Sequence, residues 1–171
     1  LRASAAGLAL DAHSPLRGRD DDAFLRRVRA AREALCDLAV DPAWVAFGAQ
    51  PPDEALRRYC LRYGPLHLLE VRRDDELRAA VCSIEAWMAR CAQPGATLSP
   101  FRFELTIATR RLARSTLWDA WVTFLRRHAH RVDRGGATEF LQCAIAEGDA
   151  HPVTLDAERW LARRPYPQPW L

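Results

Sequence analysis

The chain has 171 residues, 49% hydrophobic and 27% charged, the composition of a soluble globular protein with one proper core. Its net charge of +3 is too small to demand a polyanionic partner, and no apolar run approaches the ~18 residues of a membrane span. No signal-peptide pattern opens it, and Leu1 stands where an initiator Met would, so a trimmed chain or a piece of something longer is expected.

Neither Lys nor Asn occurs, and all 25 Lys or Arg positions are Arg. Such a bias is what GC-rich codons produce, so arginine number alone does not point to nucleic acid. The five cysteines (Cys36, Cys60, Cys82, Cys91, Cys143) are odd in number and never spaced as CxxC. Free, buried thiols and a reducing, cytoplasmic compartment are the expectation.

In chain order, residues 1–19 lack apolar periodicity and form an extended or mobile lead-in. The acids Asp20 to Asp22 suit a helix start, followed by a stripe of Phe24, Val28, Ala31, Leu35 and Leu38. The stretch DPAW breaks this helix. Pro51 and Pro52 open a second one, carrying Leu56, Tyr59, Cys60 and Tyr63, with Gly64 and Pro65 as its stop. Residues 66–71 fit a strand or an extended connector. Asp74 caps a third helix with Leu77, Val81, Ile84, Met88 and Cys91 on one seam. The loop at 92–100 is the best sub-boundary in the chain.

Phe101, Phe103, Leu105 and Ile107 alternate with Arg102, Glu104 and Thr106, a period of two that fits a strand as well as the start of a long helix. Leu117, Trp118, Trp121, Phe124 and Leu125 define a bulky helical face through His128. The RGG of 134–136 ends it, and shorter helices follow at 137–147 and at 154–164, the latter opened by Thr154. The prolines of 165–171 predict an extended tail, in which Trp170 can anchor on a protein partner. The whole reads as a mostly α, single-domain irregular bundle of six or seven helices over 20–164, with 66–71 and 101–107 open to pairing as one short β pair.

The densest chemistry lies in RRHAHR, residues 126–131. On a helix, residues two apart point about 200° away from each other. His128 and His130 therefore cannot close on one metal, and Asp133 and the distant Cys143 offer no workable ligand set. No metal or cofactor is expected. Walker, nucleotide-fold, nucleophile-elbow and HExxH motifs are absent, and without Lys there is no Schiff-base chemistry. Residues 101–134 hold eight Arg against three acids, net +5, whereas the remainder nets −2. This segregation predicts a non-enzymatic binding or regulatory module, possibly one subunit of a larger assembly. Its contact surface would be a basic helix (Arg110, Arg111, Arg114, Arg126, Arg127, Arg131) meeting nucleic acid or an acidic protein. The alternative is an enzyme acting on nucleic acid or a phosphorylated substrate, with His128, His130 and Asp133 as acid/base groups and arginines clamping phosphate.

Overall fold

The computed structural model describes residues 19–98 and 101–163. The lead-in before Arg19 and the tail with Trp170 lie outside the described residues, as do the side chains of Asp20 and Asp21. Eight helices follow one another: α1 (Arg19–Val40), α2 (Pro42–Val45), α3 (Glu54–Val71), α4 (Asp74–Val81), α5 (Ile84–Cys91), α6 (Phe101–Arg111), α7 (Thr116–Ile145) and α8 (Pro152–Arg163). No strand occurs among the described residues.

Short α5 is the hub. It packs on α3, α4, α7 and α8, and every residue from Trp87 to Cys91 is buried. A helix covered all round needs no polar face, and IEAWMARC has almost none. Around it, Trp87, Trp118, Trp121 and Trp160 are nearly inaccessible, as their helical spacing predicts. Trp87 stacks with Phe140 and meets Phe101 edge-on, and Phe124 meets Phe140 edge-on, so rings from α5, α6 and α7 share one cluster.

Four sequence expectations need correction, each for a local reason. Gly64 and Pro65 do not stop α3, which continues to Val71 through the segment read as strand or connector. Gly64 is there for closeness: a Cβ on it would stand 2.6 Å from Ala39 Cβ, so α1 and α3 touch at this point. Residues 101–107 are helical, not extended. Phe101, Leu105, Ala108 and Leu112 are the buried positions, spaced as one helix face, while Ile107 is exposed. The alternation was incidental. The third predicted helix is two: Ser83 caps α5 by accepting from Ala86 N, after a break at Cys82. Asp74 is no cap; Arg73 takes that position without a side-chain bond, and Asp74 instead accepts from Arg111.

Other boundaries fall close to expectation. Asp53, not the prolines themselves, caps α3 by accepting from Leu56 N at 2.8 Å. The RGG signal marks a true break: Gly136 sits at φ 62 and ψ −145 inside α7, which is two helical segments meeting at that residue. Thr154 does not open α8 but lies within it, buried, its hydroxyl donating to the Ala144 carbonyl at 2.8 Å. Among the described residues the first half of α1 carries no buried side chain; Phe24 and Ala31 are exposed, and the helix seats itself by Cys36 and Ala39.

Candidate functional site

The six predicted contact arginines are all exposed, and four of them are paired with carboxylates of the same chain. Arg111 donates to the Leu69 carbonyl and to Asp74, tying α6 to α3 and α4. Arg114 pairs with Asp119 at 3.2 Å, and Arg131 grips Glu139 at 2.5 Å across the Gly136 break. Arg126 donates to Thr106 Oγ1 at 3.1 Å, and Arg110 is exposed. Arg127 reaches Glu147 at 2.9 Å.

Glu147 also holds His128, with Nε2 and Oε1 2.5 Å apart, and His151 stands 3.9 Å away. Desolvation pushes the Glu147 carboxyl up, but the His128 hydrogen bond and the Arg127 and His128 charges outweigh it and hold it below its ordinary value. An ionised carboxylate only accepts, so in this contact His128 donates from Nε2, which is thereby engaged by Glu147. His130 is exposed on another side of the helix, and Asp133 accepts from Leu98 N, holding the loop before α6. The catalytic trio His128, His130 and Asp133 is therefore not brought together. No group of three His, Cys, Asp or Glu side chains among the described residues is placed to hold a metal.

A different arginine stands out, in a place the sequence reading passed over. Pro65 lacks an N–H, which leaves the Leu61 carbonyl without its helical partner. Arg90 Nε fills that gap from α5, donating to Leu61 O at 2.5 Å. The guanidinium lies between two rings, 4.3 Å from the Trp87 centroid and 4.2 Å from that of Phe101. Arg90 is 6% exposed, and its Nη1 has no acceptor among the described residues. Burial lowers its pKa to about 10, against the opposing pull of Cys91 and Glu104, so it remains a cation at neutral pH.

Arg90 lines a cavity of about 290 Å³ between α3, the 93–97 loop and α6. Helix α3 contributes Arg58, Arg62 and Tyr63 to its wall, and α6 contributes Phe101 and Glu104. Arg58 and Arg62 are exposed; Arg58 Nε donates to the Glu54 carbonyl, and Arg62 lies over the Tyr63 ring. Glu104 Oε2 is buried without a hydrogen-bond partner among the described residues. On the far side of Leu61 and Arg90 a second, mostly apolar cavity of about 220 Å³ opens between α1, α2, α3 and α4. The sequence did carry one signal for Arg90, a lone cation enclosed by the apolar positions of α5.

The class defined by this geometry is a mostly helical protein with a basic face whose arginines are partly paired within the chain, and a small cleft lined by Arg58, Arg62 and Arg90. No family model, curated protein or solved structure matches the chain. No helix among the described residues is long and apolar enough to cross a membrane. All five cysteines are free, and burial pushes the Cys82 and Cys91 thiols up to about 12.

Proposed function

We propose that the chain is a non-enzymatic binding or regulatory module whose ligand is a small anion taken up in the Arg58–Arg62–Arg90 cleft. One observation carries this reading. Arg90 is a buried, protonated guanidinium with a free Nη1, lining a cavity where two further arginines stand without a paired carboxylate among the described residues. A buried cation held in no ion pair costs several kcal/mol, of which the more distant Glu104 recovers part and an anionic ligand would offset more. The volume of about 290 Å³ lies at the low end of ligand pockets, which run from about 300 to 1,000 Å³, so the ligand is metabolite-sized.

The basic helix of 110–131 is the competing contact surface, for nucleic acid or an acidic protein. Four of its arginines, Arg111, Arg114, Arg127 and Arg131, would first have to leave Asp74, Asp119, Glu147 and Glu139. Titration calorimetry separates the two surfaces. Phosphate, citrate and a short oligonucleotide are titrated into the wild-type chain, an Arg58→Gln/Arg62→Gln variant and an Arg110→Gln/Arg126→Gln variant. The cleft reading expects small-anion binding that the first variant loses and the second keeps. Oligonucleotide binding lost in the second variant alone would replace it.

A further inference from the structure

We infer that the anion is a phosphate monoester carrying a planar aromatic ring, the chemistry of a nucleotide unit, because α3 presents two unpaired guanidinia and an open tyrosine ring to one cavity. The inference rests on the anion-cleft reading and narrows it. Arg58, Arg62 and Tyr63 all line the cavity of about 290 Å³, and all three are exposed. Arg58 and Arg62 stand one helical turn apart, which sets roughly 5–6 Å between their β-carbons. One ligand group can therefore touch both. Arg58 engages only its Nε, on the Glu54 carbonyl at 3.4 Å, and neither arginine is paired with a carboxylate among the described residues. Two such cations suit a dianion with several acceptor oxygens, which a phosphate monoester is and a single carboxylate is not.

The flat surfaces beside these arginines specify the rest of the ligand. Leu61 and Phe101 line the same cavity but are only 3% and 6% exposed, whereas Tyr63 keeps 38% of its surface open. Its ring belongs to a column along α3. Tyr59 packs on it with centroids 4.9 Å apart, His67 stacks on Tyr59 at 5.7 Å, and the Arg62 guanidinium lies over the Tyr63 ring at 5.3 Å. A planar ring in the cavity extends that column by stacking on Tyr63 or on the guanidinium over it, as bases do on tyrosine and arginine. An aliphatic phosphate would leave both flat faces wet. Such a unit comes either free or within a single strand. Tyr59, exposed and outside the cavity lining, is where the next base of a strand would stack.

Calorimetric titration of the full chain with AMP, adenosine, ribose 5-phosphate and hexa-adenylate tests each part. AMP should bind, with adenosine and ribose 5-phosphate each about tenfold weaker or worse, since each lacks one of the two contacts. Tyr63→Leu should bring AMP down to the affinity of ribose 5-phosphate and leave the sugar phosphate unchanged. Arg58→Gln should bring AMP down toward adenosine. Both positions are exposed, so both variants should keep the wild-type melting temperature; if either unfolds, the wild-type ranking of the ligands decides alone. Hexa-adenylate separates the two sources. Binding tighter than AMP, with the excess removed by Tyr59→Leu, assigns a strand; binding no tighter assigns the free nucleotide. An excess removed by Arg110→Gln/Arg126→Gln instead belongs to the basic helix and overturns the strand. Ribose 5-phosphate binding as tightly as AMP would overturn the ring while leaving the anion cleft standing. Adenosine binding as tightly would overturn the phosphate. No binding by AMP or hexa-adenylate, with phosphate or citrate still binding, would refute the nucleotide class; silence from every anion would remove the cleft reading as well.

Discussion

Two groups of arginines in this molecule receive opposite treatment. Those on α6, α7 and the turn between them stand in water or near it, and Arg111, Arg114, Arg127 and Arg131 each have a carboxylate from the same chain. Arg90 on α5 stands in the interior, with two aromatic faces and one carbonyl, and no carboxylate paired to it. Charge density thus marks one region and charge frustration the other. Exposed ion pairs contribute at most about 1 kcal/mol each, so the first region does little beyond orienting side chains. A buried ion held in no ion pair has an energetic reason to bind something.

The largest effect that bears on this contrast is Trp87→Ala. It empties the fully buried site that forms one face of the Arg90 sandwich, and should cost about 4 kcal/mol in urea unfolding. Arg90→Gln comes next. It leaves the Leu61 carbonyl without its donor and removes the cation from both rings, a loss on the order of 2 kcal/mol. A cost no greater than that of an α7 arginine would erase the contrast.

Glu147→Gln should cost on the order of 1–2 kcal/mol near neutrality, since the carboxylate is almost buried and serves His128 and Arg127 together. Its folded-state pKa is depressed, so its stabilisation is present above the ordinary carboxylate value and fades as pH falls through the folded one. Unfolding curves of variant and wild type should therefore converge in acid; a gap that widened would reverse the assignment. The smallest effect belongs to Arg126→Gln/Arg127→Gln/Arg131→Gln, at about 1 kcal/mol or less in total by thermal melting. A larger loss would mean that the α7 pairs hold the fold together.

Much of the helical order was legible because it rests on periodicity and on strong local signals. The RGG of 134–136 marks a true break, and the spacing of Trp118, Trp121, Phe124 and Leu125 gave the face of α7, from which only Leu117 of the predicted set is left exposed. What failed was wherever long-range contact overrode a local rule. Pro65 should end a helix, but Arg90, 29 residues from the orphaned Leu61 carbonyl, supplies the missing bond. Gly64 looked like punctuation and is a contact point with α1. The period of two at 101–107 was ambiguous until its neighbours chose one face.

The candidate site was less visible for the same reason. Arg58, Arg62, Arg90 and Glu104 are spread over three helices, and no spacing rule connects them. His128 and the α7 arginines attracted notice because they are neighbours in sequence. Their partners Glu139 and Glu147, which neutralise them, lie beyond the Gly136 break.

The Pro65–Arg90 contact also bears on the order in which the chain folds. Helix α3 cannot complete its own backbone bonding, because one of its carbonyls waits for a side chain from α5. A peptide of residues 54–71 should therefore show little helix on its own, and least of all beyond Pro65. The second half of α3 would then become protected against hydrogen exchange only together with α5. Nucleation belongs to the docked pair of helices rather than to either one, although α3, at 18 residues, is long enough to look self-sufficient.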